Sequence, residues 1–263
     1  MDPNLFGLFA FLLALLLLLF AFLLRGKRSL VCLLSVILAS ALLLFKSGEG
    51  IYFLTQGIYF IPYEVSHLAY WVVPILLLLG FPGSDYAAGA LSFICGVGFL
   101  LGAVIDPSDL IANMTLYEEI RLFFTHELLF FLSLLLLFDF RSFSGKDYAV
   151  FVATMLVFLL YFLLLRYRVL FVEDFTSRSI ALQVMDGSLV AYLSPNPSLL
   201  LRVGFAILCI TLVFLVPFLL ILLGRSLFQR RLRKGEIQSE QVPFEERYGL
   251  LPYLQRRKLP LSH

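Results

Sequence analysis

Between Leu5 and Leu24 the chain holds no charged side chain, and the run is followed at once by Arg25, Lys27 and Arg28. A stretch of roughly 20 apolar residues matches the length of a helix across the hydrocarbon core of a bilayer, and such a core forces every backbone polar group to be satisfied internally. The chain therefore builds helices in a membrane rather than a mixed soluble core. A secretory signal has its basic residues before a short apolar core; here Asp2 precedes the run and the bases follow it, so the run reads as a retained first helix with its N-terminus outside.

The rest of the chain repeats the theme. Of 263 residues, 61% are hydrophobic and 14% charged, and the mean hydropathy is +0.96; ordinary soluble domains do not have this composition. Further apolar runs lie at about Leu30–Phe45, Ile61–Phe81, Tyr86–Ile105, Leu122–Leu137, Tyr148–Leu165 and Leu200–Leu223. The expected fold is all-α: a polytopic membrane bundle of about seven helices over residues 1–224, then a cytoplasmic basic tail, 225–263. With the N-terminus outside and the C-terminus cytoplasmic, most Lys and Arg residues fall on the inner side, as the positive-inside rule requires. Arg225, Arg230, Arg231, Arg233 and Lys234 read as an anchor on anionic headgroups. The net charge of +2 gives no footprint for nucleic acid. Cys32, Cys95 and Cys209 lie in apolar runs with neither disulfide nor metal spacing, and no residue pattern calls for a metal or cofactor. Gly98 and Gly102 form a GxxxG in the fourth run, a pattern that lets helices approach closely. Asn113-Met114-Thr115 fits a glycosylation sequon on the outer side, a triplet that also arises by chance.

One run is anomalous. From Ile61 to Pro74 it carries Glu64, Ser66 and His67, and helical spacing puts Tyr63, Ser66, His67, Tyr70 and Pro74 on one stripe, with Glu64 at its edge. Ionisable groups inside a membrane are costly and tend to face a protein interior or a wet cavity. The alternating topology places Thr125 and His126 of the fifth run at the same outer depth, with Asp106 at the rim. Hydroxyl, imidazole and carboxylate together are the parts of an activated nucleophile: Ser66 as nucleophile, His126 as base, and Glu64, His67, Asp106 and Thr125 in support. The same residue types are also those of a metal site, although no HxxxH or HExxH spacing is present, or of polar contacts that merely join helices. The segment from Phe171 to Ser198 is long enough to cover an entrance.

Three motifs occur in the order found in the YwaF-like integral membrane proteins. Ile61-Pro62-Tyr63-Glu64-Val65-Ser66 resembles that family's Leu-Pro-Leu-His-Leu-Cys segment. Phe93-Ile94-Cys95-Gly96-Val97-Gly98, closing in Asp106-Pro107-Ser108-Asp109-Leu110, is similar to its Trp-Gly-x-x-Gly helix ending in Thr-Pro-Asp-Leu. Phe123-Phe124-Thr125-His126-Glu127 resembles its Phe-Phe-x-x-His-Gly. Animal members include an ether-phospholipid acyltransferase, in which a cysteine nucleophile and a later histidine act together; a related group, the androgen-induced hydrolases of fatty-acid esters, pairs threonine with histidine. The resemblance implies a lipid acyltransferase or hydrolase acting on membrane phospholipid, with these roles on Ser66 and His126. The chain differs in having Ser66 for the cysteine, Glu64 for the motif histidine and Glu127 for the glycine, and it shows no Asn-Tyr element before the last run. The other reading is a non-catalytic membrane subunit, bound to protein partners in a larger complex or keeping a lipid pocket without activity; a transporter is a third, without the inverted repeats that would favour it.

Overall fold

The computed structural model describes residues 2–24, 27–58, 61–112, 114–138, 144–171, 179–192, 194 and 196–234. Asn113 of the sequon, the turn residues Arg25, Asp139 and Arg141, and the tail beyond 234 lie outside the described residues. Within them the chain is all-helical: α1 (Pro3–Leu24), α2 (Arg28–Thr55), α3 (Val65–Leu79), α4 (Ser84–Ile105), α5 (Pro107–Leu110), α6 (Leu116–Leu137), α7 (Gly145–Arg166), α8 (Ile180–Asp186), a 3-10 turn (Ser188–Tyr192) and α9 (Leu199–Arg233). Six of these, α1, α2, α4, α6, α7 and α9, are long and apolar enough to cross a membrane.

The opening residues of the anomalous run are not helical. Ile61 to Tyr63 are irregular, Glu64 is extended at the N-cap, and α3 has only 15 residues. At 1.5 Å per residue such a helix is about 22 Å long against a hydrocarbon core of about 30 Å, which is why α3 stands apart from the six. The second helix runs ten residues beyond the expected end at Phe45, through Gly48 and Gly50 to Thr55. Two local interactions favour that extension: Lys46 and Glu49 pair one turn apart, and Gly50 faces the Trp71 ring of α3. α6 likewise starts earlier than expected. Thr115 accepts from the Glu118 N–H while Glu118 accepts from the Thr115 N–H, a capping box that turns the acidic segment before Arg121 into the first turn of the helix. Ser144 and Asp147 form the same device at the start of α7.

α4 lies at the centre and touches α1, α3, α5, α6 and α7. Its close approach to α6 uses a different glycine pair from the one expected. A Cβ at Gly96 would lie 2.7 Å from the Cα of Phe130, and one at Gly89 would be 3.2 Å from the Leu136 Cβ, whereas Gly98 faces open space. The spacing of seven between Gly89 and Gly96 keeps both on the α6 side; Gly98 is turned away, so its GxxxG makes no such contact. α1 joins by a similar approach, since a Cβ at Gly7 would run into the Ala103 carbonyl oxygen. α9 is tied on through its backbone: the Tyr86 hydroxyl donates to the Pro217 carbonyl, and that of Tyr148 to the Phe214 carbonyl at 3.0 Å.

Candidate functional site

α3 and α6 begin at the same end of the bundle, and the second turn of the one and about the third turn of the other bring together the polar residues of two distant sequence segments. Tyr70 is the meeting point. Its hydroxyl lies 2.9 Å from His126 Nδ1 and 3.1 Å from His126 Nε2 and 3.1 Å from Thr125 Oγ1, and Ser66 stands one turn earlier on α3. Tyr70, Thr125 and His126 are all buried. The His126 ring stacks on Phe99 of α4, with centroids 4.7 Å apart, so the imidazole is held by packing as well as by polar contacts.

The proton inventory follows from the neighbours. His126 Nδ1 lies 2.9 Å from the Leu122 carbonyl oxygen, which can only accept, so Nδ1 carries the hydrogen in the neutral ring and Nε2 is the acceptor. Tyr70 then donates to Nε2. Thr125 Oγ1 has its shortest contact, 2.8 Å, with the Arg121 carbonyl of its own helix. The oxygen of Tyr70 is left to accept, with Thr125 Oγ1 at 3.1 Å and Ser66 one turn earlier on the same helix as its available donors. Among the described residues Ser66 and His126 share no direct hydrogen bond.

A second polar group adjoins the first. Glu49 of α2 accepts from Lys46 at 2.8 Å and from Arg121 of α6 at 2.6 Å, so one carboxylate holds two cations. Lys46 Nζ also lies 4.3 Å from the Tyr70 ring centroid, a cation–π contact that joins the ion group to the hydroxyl network. The sequence reading placed Lys46 and Glu49 in a connecting segment and so missed them. The signal that was available is their three-residue spacing, an ion pair on one helix face.

The structure brings Thr125 and His126 together at Tyr70, with Ser66 and His67 on the adjoining turn of α3, and places Glu64 and Asp106 elsewhere. Glu64 turns away from it: its carboxylate accepts the Ile180 N–H at 2.5 Å, joining the entry of α3 to the first residue of α8. It thus ties down α8; of the 171–198 segment, residues 172–178, 193 and 195 lie outside the described residues. His67 packs against aromatic rings, with centroids 4.8 Å from Tyr63 and 6.4 Å from Tyr70. Asp106 is exposed at the C-cap of α4, apart from the cluster. No group of three His, Cys, Asp or Glu residues suited to a metal occurs among the described residues. Searches against family models, curated proteins and solved structures return no match to this chain.

Proposed function

We propose that this chain is a multi-pass membrane enzyme that acts on a lipid acyl ester, by transfer or hydrolysis, with Ser66 as nucleophile and His126 as base. The observation that carries the reading is the buried Tyr70 hydroxyl, which bonds His126 of α6 and stands one helical turn from Ser66 on α3. A serine has almost no alkoxide at neutral pH and needs a base whose orientation is fixed. His126 has that orientation from the Leu122 carbonyl and the Phe99 ring. The apolar surroundings suit an acyl chain, and the polar end of the cluster suits its ester. In this reading α3 crosses as a short seventh helix, the N-terminus is outside, the C-terminus is cytoplasmic, and the cluster lies at the level of the outer leaflet. Thr125 supports the cluster from its edge, and Glu64 holds α8 as part of a cover.

Purified protein in lipid nanodiscs is expected to label at Ser66 with a fluorophosphonate and to turn over a phospholipid ester. Ser66→Ala and His126→Ala should each abolish both while the protein stays monodisperse; unchanged turnover in the two variants sinks the assignment. The second reading, a membrane subunit without catalysis, draws on the large exposed apolar surface of α9, where Leu199, Leu200, Ile207 and Leu208 all stand clear of the bundle. Stoichiometric partners that copurify with a protein inert toward lipid esters are the result it expects.

A further inference from the structure

We infer that Tyr70 is a proton relay, passing the Ser66 proton to His126, so that the working unit is Ser66–Tyr70–His126 and not a serine–histidine pair. The inference rests on the ester-cleaving reading above and assigns a role that the sequence motifs do not carry.

Four observations support it. Ser66 and Tyr70 are one helical turn apart on α3, which places the serine hydroxyl above the phenol. The Tyr70 hydroxyl is 3.1 Å from His126 Nε2, the one ring nitrogen that the Leu122 carbonyl leaves as an acceptor. Each hydroxyl has a single hydrogen, and with Thr125 giving its own to the Arg121 carbonyl the order runs from Ser66 to Tyr70 and from Tyr70 to His126. The fourth is the Lys46 ammonium 4.3 Å from the Tyr70 ring centroid, which eases negative charge on the phenol while its proton is in transit.

The chemistry balances without a further reactant. Ser66 Oγ bonds to the ester carbonyl carbon as its proton moves to Tyr70 Oη and the Tyr70 proton moves to His126 Nε2. The tetrahedral oxyanion then expels the alkoxide, which takes a proton back through Tyr70 from the imidazolium. An alcohol is released and the acyl group stays on Ser66. A second alcohol, or water, attacks the acyl-serine, giving its proton to His126 by the same route. Collapse returns a proton to Ser66 Oγ, so product leaves and all three residues regain their starting protonation.

Tyr70→Phe removes the relay oxygen and keeps the ring over which Lys46 sits. Fluorophosphonate labelling of Ser66 in nanodiscs is expected to slow at least tenfold, while Tyr148→Phe, which loses a tyrosine hydroxyl bound to the distant Phe214 carbonyl, labels at the wild-type rate. A readout independent of activity accompanies it. The chain has only three histidines, so ¹⁵N spectra of histidine-labelled protein resolve His126, and Tyr70→Phe should move its Nε2 signal to that of an acceptor without a donor. Should Tyr70→Phe fail to fold, the wild-type labelling rate in mixed H2O and D2O decides the matter. A curved dependence on deuterium content marks two protons in flight; a straight line marks one and overturns the relay. Equal labelling by folded Tyr70→Phe also overturns the relay but leaves the Ser66 assignment standing. Absence of labelling in the wild type overturns both.

Discussion

His126 and Glu127 are adjacent on α6, equally deep and nearly equally hidden, with 7% and 2% of their surface exposed, yet their surroundings are opposite. Every polar atom of the His126 ring has a partner within 3.1 Å. Neither oxygen of Glu127 has a hydrogen-bond partner among the described residues. The 100° between successive helical residues explains the split: His126 points to α3 and α4, whereas Glu127 falls on the stripe of Phe123 and Phe131, which meet Phe6 and Phe20 of α1. One face of α6 is built as a polar network and the other as an apolar seam. Burial alone therefore does not identify a site in this protein; satisfied burial does, because an unpaired polar group costs stability and a paired network fixes geometry.

The largest effect is expected where the polar face depends on one atom group. Glu49 alone separates Lys46 from Arg121, and its loss leaves two cations facing each other with one of them buried. Glu49→Ala should cost about 3–5 kcal/mol, read as loss of the folded fraction in a denaturant titration in micelles. A cost under about 1 kcal/mol, the value of an exposed pair, would show that the polar face is solvated and not built as described.

The apolar face should respond in the opposite direction. Glu127→Leu replaces an unmatched carboxyl by a side chain suited to the seam and is expected to raise stability by about 1–3 kcal/mol, measured by thermal unfolding in the same micelles. Fluorophosphonate labelling of Ser66 should be unaltered. A fall in stability would mean that Glu127 holds a partner in the membrane, and the contrast between the two faces would disappear.

The same contrast marks how far the sequence could be read. Long apolar runs made the all-helical fold and the order of its long helices legible, because a bilayer leaves the backbone little other choice, but of the seven runs only six form helices long enough to span. The meeting of the polar stripe of α3, through Tyr70, with Thr125 and His126 also followed, from depth and alternation. Helix ends did not: Thr115 and Glu118 close a capping box, and Lys46 pairs with Glu49, so polar residues that read as loop are helix. Glu64 was expected at the cluster. It sits instead at the extended N-cap of α3, where its direction is set by the α8 backbone rather than by a helical stripe. Tyr70 lay on the predicted stripe, yet a tyrosine in an apolar run has many packing roles, and only the position of the Leu122 carbonyl beside His126 gives its hydroxyl a direction.

The smallest expected effect tests that direction. Thr125 Oγ1 lies 2.8 Å from the Arg121 carbonyl and 3.1 Å from the Tyr70 hydroxyl, and it has one hydrogen to give. Donation to its own backbone is the shorter bond and leaves the Tyr70 oxygen open to Ser66. On this assignment Thr125→Val loses a bond internal to α6, at a cost of about 1 kcal/mol or less. In a double-mutant cycle with Tyr70→Phe the two changes should then be additive within about 0.5 kcal/mol. A coupling of more than about 1 kcal/mol would mean that Thr125 donates to the phenol. It would then compete with Ser66 for the same oxygen, and the proton path from Ser66 would be interrupted at its first step.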